Sequence, residues 1–172
     1  MVERRGITAW MVTTRWIVRA PIPLFRAGFG FVFGGRLMML EHRGRVSGKR
    51  RYTVLEVAEH ESPTSIVVPS GFGPHAQWLQ NVQAEPRCGV SVGWRIRVSA
   101  RATVLDAAES RVKLARYAAQ HPMLWPRLER LMAEVTGEDP PVIPLVRLEF
   151  AEPVRVTRRA VSMISAPRAS SA

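Results

Sequence analysis

Residues 95–104 place an apolar or small side chain at every second position: Ile96, Val98, Ala100, Ala102 and Val104 alternate with Arg95, Arg97, Ser99, Arg101 and Thr103. A strict period of two over ten residues describes a strand with one buried face and one wet face. Gly93-Trp94 turns the chain into it, and Cys88 to Val92 reads as the strand before it. Three more strands are expected upstream: Arg36 to Glu41, Tyr52 to Glu59, and Ser65 to Pro69. A late strand runs from Val142 to Phe150, and Val154-Arg155-Val156 extends the sheet.

Helices fill the gaps between these strands. Pro21 and Pro23 end a first helix near Ala20, and a second short helix spans Leu24 to Phe33 before Gly34-Gly35. A short helix runs from His75 to about Ala84, stopped by Pro86. Asp106 caps the next helix, with Glu109 three residues on in a capping-box-like pattern, and that helix stops before Pro122. Another carries Leu124, Leu128, Leu131 and Val135 on one face, with Gly137 just past its end. Meandering strands with helices gathered outside give an α+β barrel. No G-x-G-x-x-G turn joins a strand to a helix, which argues against a Rossmann fold. The chain divides into an N-terminal amphipathic helical segment (1–35), a barrel domain (36–157) and a polar tail (158–172).

The formal net charge is +11, with only Lys49 and Lys113 among the cations that are not arginine. That balance favours an anionic partner: a phosphorylated cofactor, an anionic membrane surface or nucleic acid. Arginine suits forked contacts to phosphate or carboxylate; a GC-rich coding bias explains the same ratio equally well. The arginines are spread along the chain and no recognition motif appears, so nucleic acid is not expected. Cys88 is the only cysteine, which forbids an internal disulfide, and no metal-ligand cluster surrounds it. No stretch is long and uncharged enough to span a bilayer, and the N-terminus lacks a signal-peptide pattern. The expected location is the cytoplasm or the inner face of its membrane. Trp10, Trp16, Phe25, Phe29, Phe31 and Phe33, set among Arg15, Arg19 and Arg26, suit a membrane interface; they suit helices that cover the barrel as well.

Two constellations carry chemistry. His42-Arg43-Gly44-Arg45-Val46-Ser47-Gly48-Lys49-Arg50-Arg51 lies between two strands. Its glycines permit tight turns with open N–H groups, Ser47 adds a hydroxyl, and Arg45, Lys49 and Arg51 add charge, a pattern that suits a phosphodiester or carboxylates. A solvated basic hairpin has the same composition. The second is Ser70-Gly71-Phe72-Gly73-Pro74 leading into a helix with Trp78 and Asn81. Gly71 and Gly73 let backbone approach a flat ring, and Phe72 and Trp78 could wall it. Trp78 serves a plain core equally well.

Together, Leu40 to Arg51, Ser70 to Gly73, Trp78-x-x-Asn81, the strands around Gly93 and Pro141 to Leu148 resemble the deazaflavin-dependent nitroreductases, also described as F420-dependent quinone reductases. The resemblance covers about residues 15–150. It implies a split β-barrel like that of FMN-binding reductases and coenzyme F420 as cofactor. On it, Arg45, Ser47, Gly48, Lys49 and Arg51 hold the phosphate, and Ser70, Gly71, Phe72, Gly73, Trp78 and Asn81 line or support the ring. Many members carry a cation just before the Ser-Gly pair, where this chain has Val46; Lys49 or Arg45 compensates, or affinity is weaker. Of the tyrosines some members place near substrate, only Tyr117 is available, beside Trp125.

The expected activity is hydride transfer between the deazaflavin and a small apolar substrate: a quinone, an unsaturated lipid or a nitro compound. Ser70, His75 and Tyr52 are candidate proton donors, with a helix-capping role open to His75. His42, His60 and His121 are expected at the surface. A non-catalytic F420- or lipid-binding protein at the membrane, and an FMN-dependent reductase on the same barrel, are the alternatives. Oligomeric state is left open.

Overall fold

A computed structural model describes residues 21–137 and 139–150, with the backbone alone at position 135. The expected first helix, the strand at 154–156 and the tail lie outside the described residues, as do most of the proposed 1–35 segment and its boundary at 157–158.

Seven antiparallel strands form one curled sheet: β1 (Leu37–Arg43), β2 (Arg50–Glu56), β3 (Glu59–Ser62), β4 (Ser65–Pro69), β5 (Arg87–Val92), β6 (Arg95–Val104) and β7 (Leu145–Phe150), in the order β2-β1-β5-β6-β7-β4-β3. The sheet curls until β2 approaches β4, giving a half-barrel. Its concave side encloses the main core, where Met38, Leu40, Ile66, Val68, Val90, Val146 and Leu148 meet Trp78, Leu79 and Val82 of helix α2 (Gln77–Ala84). On the convex side, Phe25 of α1 (Ile22–Arg26) covers Met39 and Val54. Further along that side, Leu114 of α3 (Ala107–Gln120) covers Val67, Leu105 and Leu145. Successive residues of one strand thus serve different cores, as pleating requires. Helix α4 (Trp125–Thr136) closes the set.

Four expectations need correction. The segment 24–33 is not one helix: Gly28 takes φ +86°, ending α1, and Phe29–Phe33 is a separate 3-10 turn. The strand expected to reach Glu59 ends at Glu56, and Glu59–Ser62 forms a distinct edge strand. That strand is polar and has no alternation to reveal it; its carboxylates are satisfied from elsewhere in the fold. Glu61 accepts from Arg147 at 2.7 and 2.8 Å and lies 2.6 Å from Lys113, and Arg147 donates to Glu109 as well. Arg147, then Lys113 and Ser65, hold the Glu61 carboxyl far below the usual carboxylate range against the opposing effect of burial.

The alternation in β6 is interrupted at its start. Ile96 is 55% exposed despite its phase. Arg97 adopts φ +55° and the register slips between Val90 and Val92, so one residue of bulge shifts the pleat and the buried phase begins only beyond it. The Arg97 N–H donates to Ser91 Oγ at 3.0 Å, and its guanidinium reaches Glu41. Finally, α4 has its expected limits and its Gly137 end at φ +74°, but Leu124 and Leu131 remain exposed. The Asp106 cap forms, accepting from Glu109 N–H at 2.8 Å. The Glu109 carboxylate turns to Arg147 rather than back to the cap.

Candidate functional site

The β1–β2 connection is a tight turn, with Gly44 N–H donating to Lys49 carbonyl at 2.9 Å and Gly48 N–H to Gly44 carbonyl at 2.7 Å. Ser47 and Arg51 converge over Gly44: a Cβ built there would meet Arg51 Nε at 2.8 Å and Ser47 Oγ at 2.9 Å. The turn is anchored to α2 through Arg45. Its backbone N–H donates to Asn81 Oδ1 at 3.0 Å, and its guanidinium reaches Asn81 Oδ1 at 3.2 Å and Gln77 Oε1 at 3.0 Å. Gln77 and Asn81 are four residues apart, so they share one face of the helix. Arg45 is therefore committed to the helix. The side chains of Lys49 and Arg51 are exposed and form no ion pair among the described residues. Val46 points into solvent, 91% exposed.

The glycine-rich loop enters the same helix. Ser70 is fully buried; its N–H donates to Pro144 carbonyl and its hydroxyl to Gly73 carbonyl at 2.7 Å. It holds the loop's shape. Gly71 has open space where a side chain would stand, and Phe72 is exposed. Gly73 takes φ +69°, with Thr136 of α4 2.8 Å from where its Cβ would be. Trp78 lies in the concave core, where it fixes the seat of α2.

The three candidate proton donors are not brought together. Ser70 is sealed and engaged. Tyr52 packs on the convex side with the Phe25 cluster, under the guanidinium of Arg26. His75 is exposed before α2, whose cap position is Ala76 with no side-chain bond, so His75 does not cap the helix. Tyr117 also stands on the convex side, in a cleft lined by Ala58, Glu59, Lys113 and Arg116, with its hydroxyl 3.4 Å from Glu56. Burial, then Glu56, raises the Tyr117 pKa. Burial likewise pushes the Cys88 thiol up to about 12, which makes it a poor nucleophile.

His42 is not at the surface. It is 4% exposed, with Nδ1 3.2 Å from Asn81 Nδ2. Burial lowers its pKa, a backbone hydrogen bond with Arg43 opposes this, and the charge of Arg51 lowers it further. The imidazole is thus neutral near pH 7. The signal for it was its phase, since Met38, Leu40 and His42 share one face of β1. Gln77 had no signal in the sequence.

The geometry therefore joins a basic turn, with two uncommitted cations, to a glycine loop through one short helix. The sequence profile of the F420H(2)-dependent quinone reductases matches residues 24–137. The chain belongs to that family. It is accordingly an F420-dependent oxidoreductase.

Among solved structures, one described as a domain-swapped dimer matches 80% of this chain and 99% of its own, at 21% identity and TM-score 0.52. A protein of unknown function from Agrobacterium tumefaciens matches 78% of this chain and 56% of its own, at 19% identity and TM-score 0.50. An F420-H2 dependent reductase matches 66% of this chain and 94% of its own, at 22% identity and TM-score 0.49. At such identities the first two speak for the shared fold and the third adds nothing to the argument. No curated protein matches the sequence.

Proposed function

We propose that the basic turn holds the phosphate and carboxylate groups of coenzyme F420, and that the Ser70–Gly73 loop and α2 carry its ring. The observation that carries this reading is Arg45, which ties the cationic turn to the helix that the glycine loop enters. The residues fit the cofactor. Exposed Lys49 and Arg51 offer charge-assisted contacts to anions, the open space at Gly71 admits a flat ring, and Phe72 gives an apolar wall. When bound, the reduced deazaflavin supplies the hydride.

The protein's own part is placement. The turn holds the charged end, the loop holds the ring, and a small apolar acceptor such as a quinone, an unsaturated lipid or a nitro compound is set beside it. With the Ser70 hydroxyl engaged, a proton comes from solvent or from exposed His75. Fluorescence titration with oxidised F420, with FMN in parallel, tests the assignment. Saturable micromolar or tighter binding of F420 in preference to FMN is expected; binding of FMN alone would move the chain to the flavin branch of the fold.

The same reading includes contact with an anionic membrane. Phe29, Val32, Trp94 and Ile96 are exposed together, with the Phe31 and Trp94 rings stacked 3.8 Å apart. Exposed Arg26 and Arg36 lie in the neighbouring segments. Aromatics and arginines in one patch suit a lipid interface, and no helix among the described residues is long and apolar enough to cross a membrane. Co-sedimentation with phosphatidylglycerol vesicles is expected to exceed that with phosphatidylcholine and to fall for Trp94→Ser; no pelleting with either lipid would remove the membrane from the reading.

A further inference from the structure

We propose that His42 is a positioning residue for the basic turn: its Nδ1 fixes the Asn81 amide, Asn81 fixes Arg45, and the turn keeps its anion-binding shape only while the imidazole is neutral. This rests on the reading of that turn as the cofactor's anion site.

The hydrogen-bond chemistry leaves one arrangement. Asn81 Oδ1 receives two donors from Arg45, the backbone N–H at 3.0 Å and the guanidinium at 3.2 Å. Only the amide oxygen can accept both. The amide nitrogen therefore faces His42 Nδ1 at 3.2 Å with protons alone to offer. Nδ1 must present its lone pair, which puts the ring proton on Nε2.

Both side chains are buried, at 4% and 3% exposure, so water is poorly placed to replace a lost partner. A protonated ring would set N–H against N–H. Turning the Asn81 amide relieves that contact but then sets its nitrogen against both donors of Arg45. Arg45 is the exposed member, and it is the one that can leave.

Burial and the charge of Arg51 favour the neutral ring, against the backbone hydrogen bond with Arg43. Arg51 pairs with His42 from β2, Asn81 meets the ring from α2, and Arg43 is its neighbour on β1. Glu41, the adjacent residue on β1, points to the other face and is engaged by Arg97 and Arg50. Acidification through the range below the ordinary 6.5 of histidine is what charges the ring.

The test is F420 titration between about pH 5.5 and 8 for wild type, His42→Gln and His42→Leu, with nitrogen-15 NMR of the histidine rings in the cofactor-free protein. Glutamine can accept from Asn81 but cannot titrate. It should match wild type at the high end of the range and lack the extra loss at the low end, roughly five- to tenfold for one hydrogen bond. Leucine should bind more weakly than glutamine by a similar factor at every pH, and should approach wild type at the low end. Comparing variants at each pH cancels the cofactor's own titration. An identical pH dependence in wild type and His42→Gln, or a proton found on Nδ1, would overturn the proposal. If Nδ1 is bare and no variant binds F420, the lock stands and the cofactor reading alone fails.

Discussion

Replacing Lys49 and Arg51 together by alanine is expected to weaken F420 binding by about a hundredfold or more and to leave the unfolding temperature unchanged. Each charge-assisted contact to a phosphate or carboxylate is worth about 1.5–3 kcal/mol, which corresponds to roughly ten- to a hundredfold in affinity. Both side chains are exposed and form no ion pair among the described residues, so their removal leaves no buried group without a partner. Arg111→Ala with Arg127→Ala, exposed changes on α3 and α4 that remove the same two charges, is the control for net charge. Equal affinity in the double variant and the control would place the cofactor's anionic end elsewhere. The same measurement tests the matter of Val46. That residue is solvent-exposed and Arg45 is held by α2, so on the proposed reading Lys49 and Arg51 stand in for the cation missing before the Ser-Gly pair.

The second large effect is expected at Gly73. Its φ of +69° is costly for any side chain, by about 1–2 kcal/mol. A Cβ would also stand 2.8 Å from Thr136 Cγ2. That methyl cannot swing away freely, because Thr136 Oγ1 donates to Met132 carbonyl at 2.9 Å and restricts the rotamer. Gly73→Ala should lose about 2–4 kcal/mol in denaturant unfolding. Adding Thr136→Ser, which deletes the methyl and keeps the hydroxyl, should recover the steric part and leave the backbone part. No recovery would show that the strain is all in the backbone. The loop is thus fixed from both sides, by the Ser70 hydroxyl within and by α4 without. That rigidity is what a ring-binding loop needs to hold one geometry.

Much of this was legible along the chain because it rests on local rules. Period-two patterning located most of β6, and short apolar runs bounded by turn residues located β1, β4 and β5. Asp106 and Gly137 marked helix ends, since a cap is satisfied within four residues of itself. The loop from Ser70 and the basic turn were visible as glycines set among polar and charged residues. What sequence missed has a common cause. The strand at Glu59–Ser62 exists because its carboxylates meet Lys113, Arg116 and Arg147 from distant segments. Ile96 is exposed because a bulge at Arg97 breaks the phase, and a bulge depends on the partner strand.

The sequence by itself determined most strand and helix types, the family and the two segments proposed to hold the cofactor, because periodicity, capping and glycine placement act over a few residues. Tertiary structure decided which of those residues are available. Curling the sheet put Tyr52 and Tyr117 on its convex side and sealed Ser70, so among the described residues these candidate donors do not cluster around the loop. It also carried His42 inward to meet Asn81 across 39 positions of chain and bound Arg45 to α2, leaving Lys49 and Arg51 as the turn's cations without an ion pair or side-chain hydrogen bond among the described residues. A hydrogen bond between buried side chains depends on which faces the fold brings into register, and spacing along the chain does not record that.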